Sequence, residues 1–171
     1  MAVDVQQLYE EISSDEGKVL HAYLCSESHK TVGIGHKVLA TDAENTLPIH
    51  GINDDVPDGE CISEARCYEL FQEDVQIAID GCRKIYDKKF TTVYEDVILW
   101  DVLPQEAQHI LVNMCFQLGQ GGLSKFKNMN SAVEDGEWSR MSEEMMDSRW
   151  ALQTPERAAR LSNRALALAD V

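Results

Sequence analysis

The chain has 171 residues, 44% of them hydrophobic, which is enough apolar material for one compact domain or for two lobes that share a helix. Fifteen basic and thirty acidic residues give a formal net charge of −15 at neutral pH. This balance argues against a nucleic-acid partner, because binding phosphates requires dense positive charge. The apolar content also excludes an acidic disordered tail.

The first twelve residues have neither the basic start nor the apolar core of a signal peptide, and no apolar run in the sequence approaches the roughly 18 residues of a membrane span. We therefore expect a protein that is made and kept in a cytoplasm and has no membrane span. The five cysteines are scattered and odd in number, which favours free thiols. The sequence has no CxxC pair and no zinc-ligand spacing, so neither a metal nor an organic cofactor is expected.

The first third of the chain combines helix, sheet and loop signals. A helical segment ends at Asp15-Glu16-Gly17, and residues 30–39 (KTVGIGHKVL) alternate apolar with polar residues around two glycines. Together with residues 22–24, this stretch predicts a small hairpin sheet. Residues 41–61 contain prolines, glycines and several acidic residues, which predicts a long, solvated loop.

From Ser63 onward the pattern predicts helix almost throughout. Ser63 is a good N-cap, and apolar residues recur at three- and four-residue steps after it, so a long amphipathic helix is predicted over 63–86. Proline and glycine residues separate the helical segments that follow. These segments are predicted near residues 93–100, 105–118, 123–134, 137–148 and 155–169.

Three residues that can do chemistry lie at and just after the end of the first helical segment. Eight residues separate Glu16 from Cys25, and five separate Cys25 from Thr31, within ISSDEGKVLHAYLCSESHKTVGIGHKV. This run resembles the active-site segment of the phage-type lysozymes, the T-even endolysins and their glycoside hydrolase family twenty-four, in which a Glu, an Asp or Cys, and a Thr have this spacing. Three further segments resemble the family in the expected order, and they cover residues 63–75, 113–126 and 148–161.

The resemblance implies an α+β, lysozyme-like, mostly helical fold that forms a single two-lobed domain. We expect a small lobe with the sheet over 13–62, an interlobe helix over 63–86 and a helical lobe over 87–171, on which residues 1–12 pack. A cleft between two lobes is a natural place for a polymer substrate.

The resemblance also assigns roles to individual residues. Cleavage of a glycosidic bond needs a carboxylic acid that protonates the leaving oxygen and a second group that handles water or the sugar cation. Glu16 is the expected acid, and Arg157 is the expected cation that orients it. Cys25 and Thr31 are expected to position or activate the attacking water, in a reaction that inverts the anomeric carbon in the family.

Cys25 stands where the more familiar members of the family have Asp. A thiol with an ordinary pKa of about 8.5 is mostly protonated at neutral pH, whereas an Asp is ionised. Three roles therefore stay open for Cys25, as a weaker base, a nucleophile or a polarisable neighbour. Glu27 is an alternative source of negative charge, and an ordinary loop cysteine beside a catalytic Glu16 is the simplest alternative.

Four more residues have expected roles from the resemblance. His36 is expected to pair with Asp74 and so to tie the small lobe to the interlobe helix, which is a structural role. Phe116 and Gln117 match the pair that faces the cleft in the family, and we expect them to contact the substrate.

The expected function is that of a bacteriolytic endolysin, which hydrolyses the β-1,4 bond between N-acetylmuramic acid and N-acetylglucosamine for lysis of the host cell. Its expected partner is the peptidoglycan glycan strand, and it is expected to act as a monomer. It would stay in the host cytoplasm until a phage-made membrane lesion releases it to the wall.

The acidic net charge is unusual for an enzyme whose substrate is itself anionic. A host that lives at high ionic strength would screen the repulsion, and docking to a basic partner in a larger particle would compensate for it. The alternative function is therefore a non-catalytic, glycan-binding or tail-associated structural protein with a lysozyme fold. A third hypothesis is an enzyme of this fold that cleaves another β-1,4 aminosugar polymer, such as chitin.

Overall fold

Residues 3–171 are described by a computed structural model, and their contacts divide them into two units. The sheet unit contains Val5–Gln76, and the helical unit contains Ile77–Val171 with the short segment that ends at Asp4. The boundaries predicted for the two lobes stay a prediction. The contacts group residues 5–12 with the sheet unit, and their expected packing on the helical lobe stays a prediction.

The sheet unit begins with helix α1 (Val5–Glu16), which buries Leu8 and Ile12, four residues apart on one face. Gly17 has a φ of +79° and ends the helix with a hydrogen bond from its N–H to the Ser13 carbonyl. An antiparallel sheet follows in the order β1-β2-β3. Its strands are β1 (Val19–Leu24), β2 (Lys30–Gly33) and β3 (His36–Lys37).

The predicted loop over residues 41–61 contains two short 3-10 turns and is anchored to the sheet. The N–H of His50 donates to the Ala22 carbonyl, and His21 forms an isolated β-bridge with Cys61. Glu44 is buried and accepts hydrogen bonds from the Arg66 guanidinium, which hold the pKa of its carboxyl below the usual range. The prediction of a solvated loop is therefore wrong at Glu44. This residue is buried, and its charged partner Arg66 compensates for the burial.

Helix α2 (Glu64–Ile85) begins where the sequence predicts, and the Ser63 hydroxyl accepts the Arg66 N–H at 3.0 Å. The buried face of its first half carries Cys67, Leu70, Phe71 and Val75. The division between the two units falls within this helix. No helix in the described part of the chain is both long and apolar enough to cross a membrane.

The helical unit contains helices of four to twenty residues around a buried apolar core. They are α3 (Leu99–Val102), α4 (Gln105–Ser124), α5 (Lys127–Asp135), α6 (Trp138–Met146), α7 (Arg149–Gln153) and α8 (Pro155–Ala167). Helix α4 is kinked at Gly119, whose φ of +74° and ψ of 167° are not helical. A mostly helical chain with one small antiparallel sheet in the first unit confirms the predicted α+β fold class.

The helix predicted near residues 93–100 is wrong over most of its length. A second antiparallel pair, β4 (Lys89–Thr91) and β5 (Asp96–Ile98), occupies this region, and the chain becomes helical only from Leu99. β-Branched residues dominate the segment (Thr91, Thr92, Val93, Val97, Ile98), and they favour strand over helix.

His36 joins β3 to α2 and to the chain that follows β3. Its Nδ1 lies 2.8 Å from Oδ2 of Asp74, and its Nε2 lies 2.8 Å from Oδ2 of Asp42. The hydrogen bond to Asp74 raises the pKa of the His36 imidazole to about 9 against the cost of its burial, and Asp42 adds to the effect. Burial disfavours an ionised Asp42, but hydrogen bonds from His36 and the Leu39 N–H outweigh it and lower the pKa of that carboxyl.

These shifts predict a pH dependence of stability. Below the ordinary histidine pKa of about 6.5 the imidazole is protonated in the folded and unfolded states, so its stabilisation is fully present. The stabilisation is lost as the pH rises through about 9, the pKa of folded His36, and it amounts to at most about 3 kcal/mol. The free energy of unfolding of the wild type should therefore approach that of His36→Asn between pH 6 and pH 10, measured with urea.

His29→Asn is the matched control, because His29 is exposed and its contact with Glu27 spans 3.5 Å. This variant should follow the wild type at every pH. A free-energy difference between the wild type and His36→Asn that stays constant from pH 6 to pH 10 would contradict the prediction.

Candidate active site

The predicted acid, Glu16, is the last residue of α1 and is partly buried. The turn between β2 and β3 passes beside its carboxylate, since a Cβ placed on Gly35 would lie 3.7 Å from Oε2 of Glu16. Gly35 has a φ of +66°, which L-residues with side chains rarely adopt. Glycine therefore lets the turn take this backbone conformation without a side chain beside the carboxylate.

Cys25 begins the turn that connects β1 to β2. The Cys25 N–H donates to the His29 carbonyl at 2.9 Å, and the Ser28 N–H donates to the Cys25 carbonyl at 2.8 Å. Ser28 has a φ of +61°, so the chain reverses within this short segment. The turn brings the backbone N–H groups of Glu27 and His29 to the thiol.

These contacts lower the pKa of the Cys25 thiol. The largest contributions are the hydrogen bonds from the backbone N–H groups of His29 and Glu27, because they stabilise the thiolate. A hydrogen bond from the Thr31 hydroxyl acts in the same direction, while desolvation and the Glu27 carboxylate oppose it. The turn thus partly compensates for having a thiol where a carboxylate is more familiar.

Thr31 lies on β2 opposite Tyr23 and is buried. Its hydroxyl donates to the His29 carbonyl at 2.9 Å and also contacts the Cys25 thiol. A hydroxyl has one proton and two acceptor lone pairs. Thr31 can therefore donate either to the carbonyl or to a thiolate, and it keeps lone pairs that can accept a hydrogen bond from water.

Tyr23 belongs to this cluster and was missed by the sequence analysis. Burial raises the pKa of its phenol, and the nearby charges of Cys25 and Glu16 raise it further. One side chain therefore lies within electrostatic range of both predicted catalytic groups. The sequence signal was its position two residues before Cys25, which puts both side chains on the same face of an extended strand.

Glu27, the alternative source of negative charge, is exposed and lies 3.4 Å from the Lys37 ammonium and 3.5 Å from the His29 ring. Its carboxylate acts on Cys25 only by opposing ionisation of the thiol. The geometry therefore favours Cys25 over Glu27 as the second functional group of this cluster.

The remaining predicted site residues belong to the helical unit. Arg157 is buried and donates from Nε to Oδ1 of Asn113 at 2.8 Å, and its expected pairing with Glu16 stays a prediction. Gln117 accepts the Trp150 indole N–H at 2.8 Å, and Phe116 beside it on α4 is partly exposed. Substrate contact by Phe116 and Gln117 stays a prediction as well.

No group of three or more His, Cys, Asp or Glu residues within residues 3–171 is arranged to hold a metal ion.

Comparisons with known proteins place the chain among lysozymes. It is 28% identical over 169 residues to "Probable T4-type lysozyme 2" of Dictyostelium discoideum, with 92% of each chain covered. It is 25% identical to "Probable T4-type lysozyme 1" of the same organism, again with 92% of each chain covered. It is also 26% identical to the "Pre-baseplate central spike protein Gp5" of Enterobacteria phage T4, over 90% of this chain but only 26% of that protein.

The family model described as phage lysozyme matches residues 13–167. This range contains Glu16, Cys25 and Thr31 together with every other residue that the sequence analysis assigned to the site. Such a match supports a glycoside hydrolase of the muramidase type with peptidoglycan as its substrate. The chain belongs to the phage lysozyme family.

Proposed function

We propose that the chain hydrolyses the β-1,4 bond between N-acetylmuramic acid and N-acetylglucosamine in peptidoglycan, with Glu16, Cys25 and Thr31 as its catalytic residues. The observation that carries the proposal is the set of side chains around the β1–β2 strand pair. There the Cys25 thiol receives hydrogen bonds that favour its thiolate, and Tyr23 lies within the field of both Cys25 and Glu16.

Glu16 acts as the general acid. It donates its proton to the glycosidic oxygen as the bond between that oxygen and the anomeric carbon breaks.

Cys25 acts as the base that activates water. Its thiolate takes one proton from the water, and the water oxygen forms the new bond to the anomeric carbon in a single displacement. The Thr31 hydroxyl accepts a hydrogen bond from the same water while its own O–H donates to the His29 carbonyl or to the thiolate. Return of the proton from Cys25 to Glu16 through solvent restores both groups.

The proposed biological role is that of an endolysin, which acts as a monomer after a membrane lesion admits it to the wall. The similarity to the spike protein Gp5 favours the second candidate, a tail-associated structural protein with a lysozyme fold. Purified cell walls discriminate between an enzyme and a structural protein, because only the enzyme lowers their turbidity and releases reducing ends.

Replacement of the acid is the first test of this mechanism. Glu16→Gln keeps the shape of the side chain but has no acidic proton to donate. Wall hydrolysis should therefore fall by about 10²–10⁴-fold, with little change in the thermal unfolding midpoint. Glu10→Gln is the matched control on the exposed face of the same helix and should keep full activity. More than about a tenth of the activity left in Glu16→Gln would show that another residue is the acid.

Cys25 is tested by the pH dependence of the rate. If its thiolate is the base, the rising limb of the pH–rate profile follows the thiol, and Cys25→Asp should move that limb down toward about pH 4 and remain active. Cys25→Ala and Cys25→Ser should both lose most activity, since neither side chain ionises in this range. Activity is followed by reducing-end release.

Alkylation supplies an independent measurement of the same residue. Iodoacetamide should inactivate the wild type and Cys61→Ala, whose Cys25 thiol is intact, but it should spare Cys25→Asp. Cys61 is the matched thiol because, like Cys25, it is partly exposed. Wild-type hydrolysis and an unchanged pH profile in Cys25→Ala would remove Cys25 from the mechanism.

The net charge of −15 predicts the sign of the salt dependence. Repulsion from an anionic wall slows encounter, so the initial lytic rate should rise several-fold from about 10 mM to about 200 mM NaCl, as the Debye length shortens. Sucrose at the same osmolarity should leave the rate unchanged. If the lytic rate instead falls as salt is added, a local set of basic residues outweighs the net charge during encounter. Arg157, Arg160 and Arg164 are the candidates for that set.

A further inference from the structure

The β4–β5 hairpin of the helical unit exposes apolar side chains at its tip. Val93 and Tyr94 are each 94% exposed, and Phe90 on β4 is 40% exposed. All three residues of β4 are exposed, so this strand does not belong to the buried core of the unit. These side chains therefore contribute little to folding, and a role in contact with another molecule would explain their exposure.

The tip is held in one conformation by its own hydrogen bonds. The Thr92 hydroxyl accepts the N–H groups of Tyr94 and Glu95 at 3.3 and 3.0 Å and donates to the Glu95 carbonyl at 2.9 Å. The Thr91 hydroxyl adds a bond across the strands to Oδ1 of Asp96 at 2.8 Å. Tyr94 is therefore presented by an ordered turn, so a ligand would not have to order the backbone before binding.

The base of the hairpin is locally basic in a strongly acidic chain. Residues 83–92 include four Lys or Arg residues and one acidic residue. Arg83 pairs with Asp101, and Lys88 pairs with Glu134. Lys84 and Lys89 form no ion pair within 4.0 Å among residues 3–171, so their charges are available to an anionic ligand.

We propose that Tyr94, Val93 and Lys89 form a glycan-binding contact. This contact holds an anionic wall polysaccharide whether or not the polysaccharide is cleaved. The choice of polysaccharide as the ligand rests on the proposed function. The exposed Tyr94 ring stacks on the C–H face of a sugar, Val93 widens the apolar contact, and Lys89 pairs with a carboxylate on the strand. At about 3.3 Å per strand residue, Lys89 lies about 10 Å along the strand from Thr92, where the tip begins. The Tyr94 ring and the Lys89 ammonium therefore contact different positions along an extended polymer.

The polar residues around the tip favour a glycan over a lipid surface or a second copy of the chain. Glu95 follows Tyr94 directly, and Asp96 begins β5, so insertion into a bilayer would desolvate two carboxylates, whereas stacking on a sugar covers only the ring face. Two fully exposed apolar side chains also provide far less than the roughly 800 Å² per partner of a typical stable interface. A polysaccharide offers the same sugar unit many times along its length, so a weak contact can still retain the protein on it.

The experiment measures retention on insoluble peptidoglycan rather than cleavage. The full chain with Glu16→Gln, which leaves the walls intact, is incubated with purified sacculi, and the bound fraction is determined by sedimentation. Tyr94→Ala in this background should raise the apparent dissociation constant by roughly three- to tenfold, the range expected for loss of one aromatic contact. Tyr94→Phe should bind like its parent, because the ring is kept.

Two further variants complete the design. Ile77→Ala removes another exposed apolar side chain, 70% exposed on α2, and should not change retention. Lys89→Gln should weaken retention at low salt and have little effect at high salt, as an ion pair predicts. All variants should share the parent's thermal midpoint, since none of these side chains is buried.

Several results would overturn the proposal. If Tyr94→Ala is retained on sacculi as well as its parent, Tyr94 makes no glycan contact. Sedimentation with anionic phosphatidylglycerol vesicles but not with sacculi identifies a lipid surface instead, and self-association abolished by Tyr94→Ala identifies a second copy. Retention is measured without hydrolysis, so a chain that binds through Tyr94 but never cleaves walls upholds this contact while refuting the proposed function.

Discussion

The antiparallel register of β1 and β2 determines the geometry of the candidate site. Because Tyr23 pairs with Thr31 and Leu24 pairs with Lys30, residues 25–29 must reverse the chain in one tight turn. That turn directs backbone N–H groups at the Cys25 thiol and brings the Thr31 hydroxyl to it. A one-residue slip of the pairing would turn Thr31 to the opposite face of the sheet and separate the two groups. The chemistry therefore depends on main-chain pairing as much as on the side chains.

The sequence predicted the parts of the fold that local rules determine. The Ser63 cap and the periodicity after it located α2, and the alternation around Gly33 and Gly35 located the small sheet. The hairpin at residues 89–98 was missed because the helical pattern of the neighbouring segments was extended through a stretch rich in β-branched residues. The burial of Glu44 was missed too, since it depends on Arg66, more than twenty positions away, and composition does not report such pairings.

The candidate site was predictable in its residues but not in its electrostatics. The spacing from Glu16 through Cys25 to Thr31 follows from the family resemblance, whereas the effect of the turn on the thiol depends on where two backbone N–H groups point. Tyr23 shows the same limit, because its connection to Cys25 and Glu16 arises from burial and proximity in the folded chain. The sequence thus names candidate groups, and the fold determines how readily the Cys25 thiol and the Tyr23 phenol ionise.

His36 has one more consequence, for the electrophoretic behaviour of the protein. The formal charge of −15 counts every histidine as neutral, yet with a pKa of about 9 His36 carries its proton at pH 7. The folded protein is therefore one unit less negative than composition implies, and unfolding at neutral pH releases most of that proton. Native and urea-denatured chains thus differ in valence as well as in hydrodynamic size. Replacing His36 with Asn, formally a neutral exchange, would increase the native mobility toward the anode.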